Sequence, residues 1–483
     1  MNAHRHPATN PDHTSHDEPP HVPWTILALL AIAQFMVILD VTVVNVALPS
    51  IGASLHLADA DLQWVVTAYV LFTGGLMLFG GRMADLIGRR PVFLAGLTVF
   101  TLASLTSGLA WSSTALIASR ALQGVGAAML LPAALSIITT TYAGPQRAKA
   151  LAVWGALGSA GAAAGVLFGG ILTEPLGWQS IFFINVPVGI AVGLTALHTL
   201  PVAPIKWPGM ARLDLMGAGS LMGGLIALLL AIDGTTQHGW VSAYTGITAA
   251  LAVLLLAKFA RTERRSGQPL VAPATWRIRS LVSSATVMLI ATGILVGAFF
   301  MNTLFLQRVM GASALETGLA FLPLTLVILA GAHIASQLLP RLGSRWIVVT
   351  GLLIAGTGAL LLSAAPSDPS YTVNLLPGFL LLGLGLGMTF VAVSVAAMAE
   401  VTHEYAGLAS GLMTTAHEVG AAIGVAVLGS IATAATSDSV NGLVTGYGNG
   451  FVIVASVAVA VAAIAAYALP SVRPQPGMAH GMH

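Results

Sequence analysis

Charged side chains are scarce in this sequence. Only 7% of its 483 residues are Asp, Glu, Lys or Arg, whereas 56% are hydrophobic. An ordinary soluble protein carries about 25% charged residues, most of them on its surface. The 19 basic and 17 acidic residues are too few to cover a water-exposed globule of this size. The composition excludes a soluble fold and predicts a surface that faces lipid.

Cysteine is absent, which excludes disulfides, iron–sulfur clusters and thiolate zinc sites. The net charge of +2 and the scattered arginines form no basic stripe, so we expect no nucleic-acid partner. A phosphate-binding loop for ATP needs Gly-Lys-Ser/Thr, and none of the three lysines, Lys149, Lys206 and Lys258, follows a glycine. No hydrolytic constellation and no long soluble segment is present. We therefore expect neither an enzyme nor a cofactor.

Long apolar runs fill most of the chain. A bilayer core about 30 Å thick needs about 20 apolar residues per helix, and the run Ile26–Leu48 provides them. It is not a signal peptide, because further apolar runs follow as far as Leu469. Polar, Pro and Gly residues divide the chain into fourteen predicted spans: 25–48, 62–80, 91–110, 114–141, 149–172, 181–200, 214–232, 243–259, 280–301, 316–339, 346–365, 372–398, 407–431 and 449–469.

The basic residues predict which way these spans run. Lys and Arg collect in cytoplasmic loops, and a cytoplasmic N-terminus places seventeen of the nineteen basic residues inside. The exceptions are Arg308, in an outer loop, and Arg120, within a span. We expect a multi-pass protein of the plasma (bacterial inner) membrane with both termini cytoplasmic. Asp40, Arg120 and Glu418 are then the three formal charges at membrane depth, and Asp233 falls outside.

An internal similarity divides the chain into halves. Leu86-Ile-Gly-Arg-Arg90 resembles Arg341-Leu-Gly-Ser-Arg345, 255 residues later, and the same shift places the Gly-rich segment 155–170 on 410–425. Such a parallel repeat of six plus six helices holds its substrate site between the halves. The predicted fold is an all-α integral membrane protein with two six-helix bundles and an inserted two-helix hairpin. The predicted units are a disordered cytoplasmic tail at 1–23, an N-terminal bundle at 24–200, a linker with two extra transmembrane helices at 201–279, a C-terminal bundle at 280–470 and a cytoplasmic tail at 471–483.

Five histidines lie in the first tail, at His4, His6, His13, His16 and His21. Their spacing matches no metal-ligand pattern, and a solvated, unstructured tail accounts for them as well. We therefore predict no metal site.

A charge inside lipid costs several kcal/mol, so Asp40 and Arg120 suggest a function. Asp40 precedes Pro49 by nine residues and Arg120 follows Trp111 by nine, which puts both about 14 Å from the outer surface. They form either a static ion pair for helix packing or a coupling pair, in which Asp40 binds a proton and Arg120 responds to its charge. We favour coupling, since apolar packing serves a structural role at less cost.

His417 and Glu418 also fall near mid-membrane. Adjacent helical residues point about 100° apart, so the two do not face one cavity squarely. Glu418 is a candidate second coupling or substrate site, with His417 as a titratable neighbour. The alternative is an interhelical hydrogen bond or a local pair. His333 is predicted to be a packing residue.

Two glycine patterns suggest movement. The segment from Gly81 through Asp85 to Gly88, Arg89 and Arg90 predicts a tight cytoplasmic turn, in which glycine permits the reversal and Asp85 caps it or binds Arg89. A second pattern is a stripe of small residues that lets another helix approach closely and act as a pivot. Its members are Gly161, Gly165, Gly169 and Gly170.

Five segments follow one another along the chain: Leu39-Asp40-Val-Thr-Val-Val-Asn45-Val-Ala-Leu-Pro49, Leu62-Gln-Trp64-Val-Val-Thr-Ala-Tyr69, Gly81…Gly88-Arg89-Arg90, Arg120-Ala-Leu-Gln-Gly124-Val-Gly126 and Trp178…Phe183-Ile-Asn185-Val-Pro187. In this order they resemble the signatures of the fourteen-span drug:proton antiporters of the major facilitator superfamily, over about residues 25–470. The resemblance implies the major facilitator fold and proton-driven efflux of lipophilic drugs or antibiotics by alternating access. It places Asp40 and Arg120 in coupling and the turn at Asp85 in latching the cytoplasmic side. The implied partners are a lipophilic small molecule, protons and the lipid bilayer, with the protein acting as a monomer.

The chain departs from that family's pattern at two places. The fifth span of such antiporters has Pro after a glycine, where this chain has Val166, so glycine packing replaces or weakens the hinge. In the thirteenth span the family often has Arg-Gln where His417 and Glu418 stand, which implies altered substrate charge or coupling.

Two functions other than export are considered for this sequence. A proton-coupled uptake symporter for a small organic solute needs more buried hydrogen-bonding and cationic groups than Arg120 alone. A non-transporting receptor or lipid-handling protein needs a metal or nucleophile constellation that the sequence lacks. For the exporter, four residues are predicted to line the cavity: Gln34, Phe35, Met36 and Tyr69. The substrate and the role of 214–259 stay open.

Overall fold

The computed structural model describes residues 24–201, 213–267, 269–271, 274–402, 405–434 and 440–473. The predicted tail at 1–23, part of the linker (202–212) and the end of the second tail (474–483) lie outside these ranges. Within them, thirteen helices are long and apolar enough to cross a membrane. A further helix, α5, is not among those thirteen and has 33 residues. The helices are α1 Trp24–Leu55, α2 Asp59–Ile87, α3 Arg89–Gly108, α4 Ser113–Thr141, α5 Gly144–Leu176, α6 Ser180–Thr199, α7 Leu215–Gln237, α8 Ala243–Arg265, α9 Arg279–Arg308, α10 Ala314–Leu342, α11 Ser344–Ser363, α12 Tyr371–Ala397, α13 Ala406–Ala434 and α14 Val440–Ala468.

All fourteen predicted spans correspond to these helices, and local signals explain several boundaries. Ser112 and Ser242 accept the backbone N–H groups of Ala115 and Thr245 and so cap α4 and α8. Ser313 and Glu316 form a reciprocal capping box at the start of α10.

The helix contacts repeat between the two halves, which confirms the two-bundle fold. In the first half α1 packs on α5, and α4 packs on α2 and α3. In the second half α9 packs on α13, and α12 packs on α10 and α11. The halves meet through α2 on α13 and α5 on α10, which are equivalent pairs under the repeat. The inserted helix α7 packs on α8, α2 and α13, beside this junction.

The two ends of the bundle differ in how the halves meet. We call the end with the Gly88 and Gly343 turns the basic end and the other the far end. Toward the far end one apolar core includes Val43 and Leu62 of the first half and Phe300 and Phe321 of the second. Toward the basic end each half has its own apolar core, although residues of α13 and α9 from the second half also pack on the core of the first half. The halves are therefore held together at the far end.

Two hydrogen bonds cross between the halves at the far end. Gln307 Nε2 of α9 donates to the Val46 carbonyl of α1 at 2.9 Å. Glu174 of α5 accepts the backbone N–H of Leu315, at the first turn of α10, at 3.3 Å.

Two further acidic residues are buried within helices. Asp233 lies within α7 and Glu263 within α8, and only 7% and 2% of their respective surfaces are exposed. The apolar run ends at Ile232, but α7 continues to Gln237, and the Thr235 and Thr236 hydroxyls bond the carbonyls of Ile232 and Asp233 in its last turns. Arg308 likewise belongs to the last turn of α9 rather than to a loop.

Part of the second predicted tail folds back on the basic end. Ser344 donates its backbone N–H to the Val472 carbonyl at 2.9 Å and accepts the Val472 N–H on its hydroxyl at 3.0 Å. Arg345 donates to the Leu469 carbonyl at 2.6 Å. These bonds attach Leu469 and Val472 to the turn between α10 and α11.

Candidate functional site

Asp40 and Arg120 are in direct contact inside the first half. Arg120 Nη1 lies 2.5 Å from Asp40 Oδ2, and 1% of each residue is exposed. Among the described residues this is the one salt bridge that forms. The two residues were expected at equal depth, and their contact joins α1 to α4.

Two further side chains complete the contacts of Asp40. Its Oδ1 accepts 2.9 Å hydrogen bonds from Gln123 Nε2 and from Asn185 Nδ2. The same Gln123 accepts from Arg120 Nη1 at 2.6 Å, and Asn185 also donates to Ser104 Oγ at 3.1 Å. The carboxyl group thus accepts three N–H donors, an arrangement complementary to a carboxylate.

Arg120 is also held by aromatic rings and by the backbone. Its guanidinium carbon lies 4.2 Å from the ring centre of Tyr69 and 5.6 Å from that of Phe182. Its Nε donates to the Val65 carbonyl at 3.2 Å. Cation–π contacts gain strength where water is excluded, as it is here.

Glycines on α4 let the neighbouring helices come close enough for these contacts. A Cβ on Gly126 would lie 2.5 Å from the Phe100 nitrogen of α3, and one on Gly124 would meet the Tyr69 carbonyl of α2. Side chains at these positions would push α2 and α3 away from α4. The site therefore depends on backbone packing as well as on its polar groups.

Sequence reasoning missed Gln123, Asn185 and Ser104 as members of this site. Two of them could have been found from the sequence. Gln123 follows Arg120 by one helical turn, and Asn185 belongs to the segment from Trp178 to Pro187 that resembles the antiporter signature. Ser104 sits in an ordinary apolar span and carried no sequence signal.

His417 and Glu418 face different helices. His417 Nδ1 lies 3.0 Å from Thr292 Oγ1 of α9, and its ring packs near Phe390 of α12. Glu418 lies against α2, since a Cβ on Gly74 would be 2.5 Å from Glu418 Cβ. In the part of the chain that the structure describes, the Glu418 carboxylate accepts no hydrogen bond.

The other predicted cavity residues lie around the first half. Gln34 and Met36 are buried, and Gln34 Oε1 meets no donor among the described residues. Phe35 lines an apolar groove of about 350 Å³ between α1 and α5, together with Trp24 and Leu157. Tyr69 lies beneath Arg120. His333 was predicted to pack inside the protein, but it is exposed on α10.

The glycine turn is shorter than predicted. Gly81 and the exposed Asp85 lie within α2, which runs to Ile87, so Gly88 alone connects α2 to α3. Its φ of 126° is a conformation that favours glycine. Arg89 donates to Ser136 at 2.7 Å, and Arg90 donates to the Leu197 carbonyl at 2.7 Å.

The glycine stripe of α5 has two faces. A Cβ on Gly161, Gly165 or Gly169 would meet side chains of α1, such as Thr42. One on Gly170 would instead lie 2.5 Å from the Leu315 Cα of α10. The stripe thus packs α5 inside its own half, and its last glycine forms the contact between the halves.

Comparison with known proteins identifies the family. The model of the Major Facilitator Superfamily matches residues 30–214 and 209–425 of this chain. The chain belongs to the major facilitator superfamily. This superfamily consists of transporters rather than enzymes, and the present member is a multi-pass membrane protein.

Several relatives of this major facilitator protein are named for export or resistance. It is 40% identical to the cephamycin export protein CmcT of Amycolatopsis lactamdurans over 444 residues, which cover 91% of each chain. It is 42% identical to the puromycin resistance protein pur8 of Streptomyces alboniger over 418 residues, 86% of this chain and 82% of that one. It is 36% identical to the lincomycin resistance protein of Streptomyces lincolnensis, with 84% of each chain covered.

The fold matches a solved transporter. A bacterial homologue of the human lysosomal transporter Spinster, in an inward-facing and occupied conformation, superposes with a TM-score of 0.66 at 18% identity. The match covers 93% of this chain and 96% of that one, and at this identity it supports the fold alone.

Proposed function

We propose that this protein exports lipophilic drugs or antibiotics from the cell in exchange for protons. Relatives named for cephamycin export and for puromycin and lincomycin resistance support efflux. The observation that carries proton coupling is the buried Asp40 carboxylate, which pairs with an arginine that stays charged.

The orientation follows from the charges. The basic end carries Arg89, Arg90, Arg341 and Arg345, so we place it in the cytoplasm of a bacterium, together with both termini. With the far end closed, the structure then corresponds to an inward-facing state in which substrate enters from the cytoplasm or the inner leaflet.

The proposed cycle uses Asp40 as the proton carrier. In the inward-facing state Asp40 is ionised and paired with Arg120, and the drug binds between the halves. Opening the far end breaks the Gln307–Val46 and Glu174–Leu315 bonds. A proton then reaches Asp40 and releases Arg120, and the drug leaves. A membrane potential of about 100 mV supplies about 2.3 kcal/mol per inward proton.

Glu418 gives the proposed cavity a second acidic group. Its carboxylate lies at the α2–α13 junction between the halves and accepts no hydrogen bond from described residues. A cationic drug that binds there would neutralise it. We therefore assign Glu418 to substrate charge selection, with a second proton site as the alternative.

Transport in inside-out vesicles tests the export proposal. A fluorescent cationic drug is expected to accumulate when the interior is acidified, and the accumulation is expected to collapse when an ionophore removes the gradient. Uptake in the opposite direction would identify a symporter. Binding that ignores the gradient would identify a receptor, and either result would overturn the proposal.

A further inference from the structure

The two ends of the inserted hairpin meet at the basic end through a pair of acidic side chains. Asp214 directly precedes α7, and its Oδ1 caps that helix by accepting the Gly217 N–H at 3.0 Å. Glu263 lies near the end of α8 and is 2% exposed. Ala218 of α7 and Phe259 of α8 pack in one apolar cluster. Asp214 and Glu263 lie one helical turn beyond these two residues toward the basic end, which brings their carboxyl groups side by side.

Each carboxyl group has one oxygen satisfied and one that meets no donor. Glu263 Oε2 accepts the Val271 N–H at 2.9 Å, just as Asp214 Oδ1 accepts Gly217. Glu263 Oε1 and Asp214 Oδ2 are buried and accept no hydrogen bond from any group that the structure describes. Two facing carboxylates repel, whereas one proton between them supplies the missing donor and removes one charge.

Asp214 has φ 46° and ψ 52°, in the left-handed region that Asp and Asn adopt more readily than other side chains. This conformation stands directly before the first turn of α7, where the Asp214 side chain caps the helix.

Glu263 also holds a short segment that we call the strap, residues 269–271. The Glu263 carboxyl holds it through the Val271 N–H, at 2.9 Å. The strap is fastened to α2, because Arg82 donates to the Pro269 carbonyl at 3.2 Å. Leu270 packs in an apolar cluster with Phe259 of α8 and Phe79 of α2.

This arrangement ties the chain between the halves to a gating helix. The strap lies on the path from α8 to α9, where the second half begins, and α2 contacts α13 across the junction. Among the charged groups of the described residues nearby, Asp214 lies beside Glu263, Arg82 of α2 bonds the strap backbone, and Arg264 and Arg265 of α8 are exposed.

We propose that Asp214 and Glu263 share one proton, and that this pair fastens the hairpin and the strap to the basic end of α2. The strap is held while the proton is present and is released as rising pH removes it. The site is separate from the Asp40 network and does not depend on the proposed export.

The absence of cysteine allows a direct test on the full-length protein in liposomes. We use Leu270→Cys as the reporter, since Leu270 is a buried side chain of the strap itself, and measure its reaction with a maleimide over a range of pH. Thiols react faster as pH rises, so each rate is divided by that of Val241→Cys, which is fully exposed at the far end of the same hairpin. We expect this ratio to rise about tenfold as the shared proton is lost.

Amide variants separate a shared proton from a purely structural contact. Glu263→Gln carries a permanent donor, so we expect the ratio to stay low at every pH, and Asp214→Asn should behave alike because Asn caps helices and tolerates the left-handed region. Asp368→Asn, which changes an exposed carboxylate, is expected to keep the pH step. Infrared spectra should show a protonated carboxyl band in the wild-type protein that Glu263→Gln lacks.

Three results would overturn the proposal. The first is a ratio that does not change with pH, and the second is a pH step that survives in Glu263→Gln. The third is a ratio set by sodium or magnesium concentration at fixed pH, which would mean that a metal cation occupies the pair.

Discussion

Replacing Gly170 with alanine should open the far end of the bundle. The new Cβ would lie 2.5 Å from Leu315 Cα and 2.8 Å from the Ala314 carbonyl oxygen of α10. Both are backbone atoms, so no side-chain rotation relieves the clash. The strain exists only while α5 and α10 touch, and it therefore disfavours the state in which the far end is closed.

The expected size of the shift follows from the cost of overpacking. An extra carbon in a tightly packed contact costs about 1–3 kcal/mol. If this cost falls on the closed state alone, the ratio of molecules with an open far end to molecules with a closed far end changes by about 5- to 150-fold. Alanine also favours the helix by about 1 kcal/mol in either state, so this gain cancels.

Spin-label distances across the far end measure this ratio. The chain has no cysteine, so Trp111→Cys and Val373→Cys place one label on each half at exposed far-end positions. Gly155→Ala is the matched control, because it is the same change on the same helix and its Cβ meets nothing within 4 Å. Gly170→Ala should populate longer distances than Gly155→Ala. Equal distributions for the two variants would refute the role of the α5–α10 contact.

Three further predictions address the site and the turns. The first is a double-mutant cycle measured by thermal unfolding in detergent. Asp40→Ala and Arg120→Ala should each lower the free energy of unfolding by about 3–5 kcal/mol, because each single change leaves a buried charge unpaired, and the double variant should lose less than the sum. Additive losses would contradict the pairing. Gly88→Ala and Gly343→Ala should each lose about 1–3 kcal/mol in the same assay, because their φ values are 126° and 78°, and unchanged unfolding would contradict that strain. Glu418→Gln should lower vesicle transport of cationic drugs several-fold while neutral drugs are unaffected, and an equal loss for both would contradict charge selection.

The spans and the repeat were predictable because their signals are local. Apolar runs of bilayer length mark each helix, and Gly88 and Gly343 recur 255 residues apart as single-residue breaks with positive φ. The depth of Asp40 and Arg120 followed from helical rise alone. These features need no knowledge of which helices touch.

The rest of the site depends on contacts between helices that are distant in sequence. Ser104 of α3 reaches Asn185 of α6 where the two helices pack closely, since a Cβ on Gly189 of α6 would collide with the Thr101 side chain of α3. Asp233 falls beyond the predicted span because the apolar pattern stops at Ile232, whereas the helix itself continues to Gln237. Gln63 of α2 then donates to Asp233 at 2.7 Å and fixes α7 beside the junction. The sequence pattern contained no sign of that pairing.

The central claim is that Asp40 carries the proton that drives export. Its most direct test compares two modes of transport in liposomes that contain Asp40→Asn protein, which keeps the side-chain size. Drug exchange at equal pH on both sides requires only binding and movement of the halves, whereas uphill export requires a proton. We predict that exchange persists and that drug-stimulated proton flux and uphill export are lost. Uphill export that continues at the wild-type rate would contradict the account.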